Sequence, residues 1–146
     1  MVSLGCSKNQ VDSEIMLSLI QEGGFELSGI PEECDVVIIN TCGFIEDAKK
    51  ESIENVLEFC DLKRQGKIRA VVVTGCLAER YQKEIAGEIP EADVILGLGK
   101  NGDIVQAVQA ALEGKRMVEF GDKLALPLSG KRVLANPSYF AYLKLG

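Results

Sequence analysis

The sequence predicts an α/β fold in three layers, with about five parallel strands sandwiched between helices. Three observations carry this. Short β-branched runs such as "VVII" and "VVV" alternate along the chain with longer stretches striped at helical spacing. The runs are apolar on consecutive residues, as a parallel sheet covered on both faces requires. Glycine or proline punctuates most changes of pattern.

The elements follow in order. Val2–Leu4 is the stub of a strand. A helix follows, capped by Ser7 or Asn9, with Asp12 and Glu14 in its first turn near the helix dipole's positive end. Val11, Ile15, Met16, Leu19 and Ile20 form its apolar face, and Gly23-Gly24 ends it. Phe25–Leu27 is a second short strand, and "SGIPEEC" allows a turn started at Pro31. Asp35–Asn40 is a buried strand. A long helix runs from Ile45 to Arg64, with Ile53, Val56, Leu57 and Cys60 on one face and Gly66 as its stop. Arg69–Thr74 is the next strand. Leu77, Tyr81 and Ile85 stripe the helix after it, which Gly87 and Pro90 close. Asp93–Leu96 is a shorter strand, and Ile104, Val108, Ala111 and Leu112 stripe a last helix ending at Gly114. The order expected is flavodoxin-like.

Residues 1–114 therefore read as one domain and 115–146 as a linker or tail. The tail ends in "SYFAYLKLG", which alternates like a strand without an upstream partner and leads toward a further domain.

The chain has 146 residues, 47% of them hydrophobic and 26% charged, enough for a core without staples. No signal peptide or membrane-spanning run is read in it, so a cytoplasmic location is expected and no membrane partner. Five cysteines, an odd number with no C-x-x-C pair, argue against a disulfide framework or a thioredoxin-like site. A net charge of −6 disfavours direct nucleic-acid binding and suits a basic protein partner.

Three of the cysteines stand alike. Cys6, Cys42 and Cys76 each follow a predicted strand end and precede a helix, 36 and 34 residues apart, about one strand–helix–strand period. Ligands of open parallel sheets bind beyond the strands' carboxyl ends, so the three should converge there. Helix N-termini favour the thiolate form, and Gly5, Gly43 and Gly75 let backbone approach a bulky ligand. Three thiolates suit a soft metal. Structural zinc takes four ligands, and the chain has no histidine to supply one. An iron–sulfur cubane held by three cysteines, one iron left open, is the better match. Cys60, on a helix's apolar face, and Cys34, at the opposite end of a strand, read as structural.

Other sites common on such sheets are absent. A phosphatase-type loop needs arginine six residues after its cysteine, and those positions hold Asp12, Ala48 and Gln82. "GLGKNG" (Gly97–Gly102) lacks the order of a phosphate loop and reads as a turn.

The motifs "LGCSKNQVDSE", "NTCGFIEDAKKESI" and "TGCLAERY", with the tail "SYFAYLKLG", resemble the N-terminal domain of the methylthiotransferases, a radical S-adenosylmethionine family. "GCSKNQVDSE" and "NTCGFIEDA" are most similar to its ribosomal-protein branch. That branch methylthiolates the β-carbon of an aspartate in protein twelve of the small ribosomal subunit. The resemblance implies that Cys6, Cys42 and Cys76 hold an auxiliary [4Fe–4S] cluster whose open iron carries sulfur or methylsulfide. A second [4Fe–4S] cluster and S-adenosylmethionine belong to a radical domain whose C-x-x-x-C-x-x-C is not in this chain. The fragment alone should therefore be inactive, with no catalytic residue of its own. The alternatives are a tRNA-modifying relative, a non-catalytic metal-binding or iron–sulfur module, and a plain α/β interaction domain whose cysteines only fill core.

Overall fold

The computed structural model describes residues 2–3, 7–28, 34–41, 46–75, 77–78, 81–97, 103–119 and 142–144. In chain order these form β1 (Val2–Ser3), α1 (Ser7–Glu22), β2 (Glu26–Ser28), β3 (Val36–Thr41), α2 (Glu46–Arg64) and β4 (Ala70–Gly75). They continue with α3 (Gln82–Glu88), β5 (Val94–Leu96), α4 (Ile104–Leu112), β6 (Met117–Glu119) and β7 (Tyr142–Lys144).

Five strands run parallel as neighbours, β1 against β3, then β4, β5 and β6. This is the three-layer α/β sandwich the sequence predicts. β3 and β4 are its spine, paired over six residues from Val36↔Ala70 to Thr41↔Gly75 and buried throughout. Such continuous burial is what a central parallel pair needs, and it explains why both read as unbroken apolar runs.

Alternation along these strands feeds two cores. Val37, Ile39, Val71, Val73 and Ile95 face one side, where they pack with Val56, Phe59 and Cys60 of α2 and with Leu77 and Ile85. Val36, Ile38, Val72, Val94 and Leu96 face the other, against Met16, Leu17 and Ile20 of α1 and Ile104, Ala107 and Val108 of α4. Each core rests on one period-2 face of the sheet and one stripe of each covering helix.

Several expectations shift. Leu57, read as core, is 43% exposed, while Phe59 takes the buried position on α2. α1 begins at Ser7, and its first turn holds no acidic residue. Glu14 lies further along the helix and is only 1% exposed, so it is a buried, partnered carboxylate rather than a surface charge near the dipole. Gly87 lies within α3, which continues to Glu88.

The sheet also continues past Gly114. β6 pairs with β5 in parallel, from Val94↔Met117 to Leu96↔Glu119. β7 runs antiparallel between β2 and β3, pairing Glu26↔Lys144, Leu27↔Leu143 and Ser28↔Tyr142 on one side and Val36↔Leu143 on the other. Residues 142–144 of the strand-like tail are thus part of the sheet. β1 and β7 share one edge of β3, β1 beside Ile39 and Asn40 and β7 beside Val36.

Candidate metal centre

The carboxyl ends of three adjacent strands meet at one edge of the sheet. Ser3, the last residue of β1, lies in register with Asn40 of β3, and Asn40 with Thr74 of β4. One residue on, Thr41 pairs with Gly75. Neighbouring strands lie about 4.8 Å apart, so the ends of β1, β3 and β4 fall within about 10 Å of one another. Thr41 directly precedes Cys42 in the chain, Gly75 directly precedes Cys76, and Ser3 stands three residues before Cys6.

Cys6, Cys42 and Cys76 themselves lie outside the described residues. The elements on either side of them are described, and they match the predicted arrangement. α1 starts at Ser7, immediately after Cys6, and residues 77–78, immediately after Cys76, are helical. α2 starts four residues after Cys42. Backbone N–H groups at such helix starts lack intrahelical partners and favour negative charge, the form in which a thiol ligates metal.

Polar side chains tie these strand ends together. The Asn40 side-chain amide Nδ2 donates to Ser13 Oγ of α1 at 2.9 Å, and both residues are buried. The Thr41 hydroxyl donates to the Thr74 carbonyl at 2.6 Å, also buried. Gly75 has φ +101°, and a Cβ there would sit 2.5 Å from Asn40 Oδ1 and 2.6 Å from the Thr41 nitrogen. Only a glycine lets β4 approach β3 this closely at the point where both leave the sheet. Sequence reasoning passed over Ser13, Asn40, Thr41 and Thr74. Their signal is visible in hindsight, since "VVIINT" and "AVVVTG" both break from apolar to polar before their cysteines.

The remaining cysteines are elsewhere. Cys60 is fully buried between α2 and the sheet, and burial, with the Glu91 carboxylate second, pushes its thiol up from 9.0 to about 11. Cys34 is buried in the same core, just before β3 and at the end of that strand opposite Thr41. A thiol held protonated in apolar surroundings, as that of Cys60 is, makes a poor ligand. Among the described residues no three Cys, Asp or Glu side chains gather where they could hold a metal. No helix among them is long and apolar enough to cross a membrane.

The family follows from residues 1–97, which match the model of the uncharacterized protein family UPF0004. The chain belongs to the UPF0004 family. As a UPF0004 member it is similar to curated proteins named ribosomal protein uS12 methylthiotransferase RimO. It is 50% identical to that of Desulforamulus reducens over 99% of this chain and 33% of that protein. With the Clostridioides difficile protein the identity is 46%, and with that of Thermoanaerobacter sp. it is 43%, each over the same two shares. This UPF0004 chain thus spans about a third of the length of the curated relatives it matches.

Proposed function

We propose that this chain is the auxiliary-cluster domain of a radical methylthiotransferase that modifies a ribosomal protein. In this reading Cys6, Cys42 and Cys76 are the ligands of a [4Fe–4S] cluster. The observation that carries it is the register of β1, β3 and β4, whose ends lie side by side where the three cysteines follow. The donor set suits the cluster. Three thiolates and no histidine are what a cubane with one unprotected iron takes. When bound, such a cluster would supply an open iron able to carry the sulfur, or methylsulfide, destined for the substrate.

The chain's own residues have a narrower task. The start of α1 and the helical residues 77–78 place backbone N–H groups directly after Cys6 and Cys76, which lowers the cost of holding a thiolate beside each. The two cores fix the strand ends relative to one another. Breaking the C–H bond of an unactivated carbon needs radical chemistry, which a cofactor supplies. That belongs to a domain following residues 115–146, and with it the second cluster and S-adenosylmethionine. The division into a cluster domain and a leading segment is part of the same proposal. The substrate is a ribosomal protein, in keeping with the relatives' names and with an acidic surface that favours a basic partner. The reaction takes place in the cytoplasm, where ribosomal proteins are found.

Anaerobic reconstitution with ferrous iron and sulfide tests the reading. The chain should take up about four irons, change its visible spectrum when methanethiolate is added, and show no turnover with S-adenosylmethionine. Replacing Cys6, Cys42 or Cys76 by alanine should sharply reduce iron retention, whereas Cys34→Ala and Cys60→Ala should keep it. Iron retained by Cys42→Ala and lost from Cys60→Ala would refute the assignment, and turnover by this chain alone would refute its division of labour.

A further inference from the structure

Three buried polar residues sit where the described backbone hands over to the candidate ligands, and a fourth, Ser13 of α1, is bonded to one of them. A parallel pair buried on both faces is ordinarily apolar to its ends. Here β3 closes in Asn40-Thr41 and β4 in Thr74-Gly75, and all of Asn40, Thr41 and Thr74 are fully buried. Burying polar groups is costly unless they are bonded, so their bonds specify one arrangement. Alternation splits them between the two sides of the sheet. Asn40 shares the side of Val36 and Ile38 and bonds Ser13 of α1. Thr41 shares the side of Val37 and Ile39, and its hydroxyl reaches across to the Thr74 carbonyl.

We propose that Thr41 and the Asn40–Ser13 pair are positioning residues that set the separation of the backbone leading to Cys42 and Cys76 before any metal arrives. The inference rests on the reading of those two cysteines as ligands and assigns the residues that preorganise them. The Thr41–Thr74 bond spans β3 and β4 one residue before Cys42 and two before Cys76. The Asn40–Ser13 bond anchors the same point of β3 to the helix that begins after Cys6. Gly75 admits the close approach of β4 to β3 across which the Thr41–Thr74 bond is made. Chain ends held this way lose little freedom when a shared ligand joins them, which is how preorganisation raises affinity.

The test is metal-free cross-linking of Cys42 to Cys76 with dibromobimane, in the full chain carrying Cys6→Ser. Thr41→Val, similar in shape and lacking the hydroxyl, should slow cross-linking roughly tenfold, the ratio one buried hydrogen bond supports. Monobromobimane labelling of the single thiols should be unchanged, and Thr41→Ser should restore cross-linking. Val71→Ala, a core truncation on β4 away from these bonds, should leave it unaltered. Should Thr41→Val not fold, Ser13→Ala carries the same expectation. Unchanged cross-linking in both variants overturns the proposal, and so does an equal slowing by Val71→Ala, which would make the effect one of general stability. Iron and sulfide are then added to the chain with all its cysteines intact. Uptake of a cluster with cross-linking blind to Thr41→Val would leave the proposed function standing and remove this inference. Cross-linking sensitive to Thr41 in a chain that takes up no cluster would do the reverse.

Discussion

Replacing Gly75 by alanine should be among the most damaging single-methyl changes in this protein, and its cost can be worked from two separate terms. The first is conformational. Gly75 has φ +101°, outside the regions open to L-residues, and holding a side chain there costs about 1–3 kcal/mol. The second is steric. The added Cβ would meet the carbonyl oxygen and nitrogen of Thr41, the latter at 2.6 Å, where ordinary contact begins at 3.4 Å. Thr41 cannot retreat alone, because it is paired in register with Gly75 and its side chain is bonded to Thr74. Overpacking of this kind adds about 1–3 kcal/mol. The sum is centred near 4 kcal/mol, or a fall in Tm of roughly 8–16 °C for a chain of this size.

Gly114→Ala supplies the control. Gly114 also has positive φ, +75°, but a Cβ there meets nothing within 4 Å. It should lose only the conformational term, about 1–2 kcal/mol. Urea unfolding of both variants gives the comparison directly. If their losses agree within about 0.5 kcal/mol, the close approach of β4 to β3 is not what requires glycine at position 75, and the steric account fails.

Two further predictions concern parts of the core remote from the candidate site. Cys60 is held protonated up to about pH 11 when folded, while an exposed thiol ionises near 9.0, so stability should fall as pH rises between those values. The drop is on the order of 2–3 kcal/mol, and Cys60→Ala should remove that part of the slope while costing about 1 kcal/mol at neutral pH; parallel slopes in the two proteins would contradict it. Asp93 accepts from the buried Val71 N–H at 2.9 Å and from Lys63 Nζ at 2.8 Å, so Asp93→Ala should cost about 2–3 kcal/mol in chemical denaturation. Lys63→Met should cost less than about 1 kcal/mol because the lysine is the more exposed partner, and equal losses would assign the stabilisation to the ion pair instead.

How much of this was legible depended on which physical signal each residue gives. β3, β4 and α4 could be read because burial on every residue of a strand, or on one stripe of a helix, leaves a long local pattern. Leu57 and Phe59, two residues apart, lie on opposite flanks of one such stripe, and periodicity alone does not decide toward which flank the buried face extends. Packing of α2 on the sheet decides for Phe59. Glu14 illustrates a different failure. An acidic residue near a helix start has a ready local explanation in the dipole, and its burial is a tertiary fact that no local rule contains. The proposed ligands were read from the sequence because three cysteines repeat at one topological period. The bonds beneath them were not, since Asn and Thr at a strand end also mark ordinary turns.

The tail poses the remaining problem, and it has a measurable form. Among the described residues β2 is paired only with β7, over three residues, and β7 touches β3 at the single pair Val36↔Leu143. β1 is two residues long and pairs only with Ile39 and Asn40 of that edge of β3, which leaves Val36 to pair with β7. A strand of three residues has no periodicity to reveal it, and its place is created by the brevity of β1. Removing residues 122–146 should therefore unmoor β2. Three ladder positions at about 1 kcal/mol each predict roughly a hundredfold loss of amide hydrogen-exchange protection at Glu26–Ser28. Val71–Val73, in the centre of the sheet, should keep theirs. Undiminished protection of β2 would mean that it is held by Phe25 and Leu27 against the α1 core rather than by the ladder. The same amides report on the proposed division of the protein. A strand taken up into a following domain's own sheet cannot also fill this one. Protection of β2 in a protein carrying that domain would show β7 retained beside β3, and its loss would show β7 drawn into the new fold.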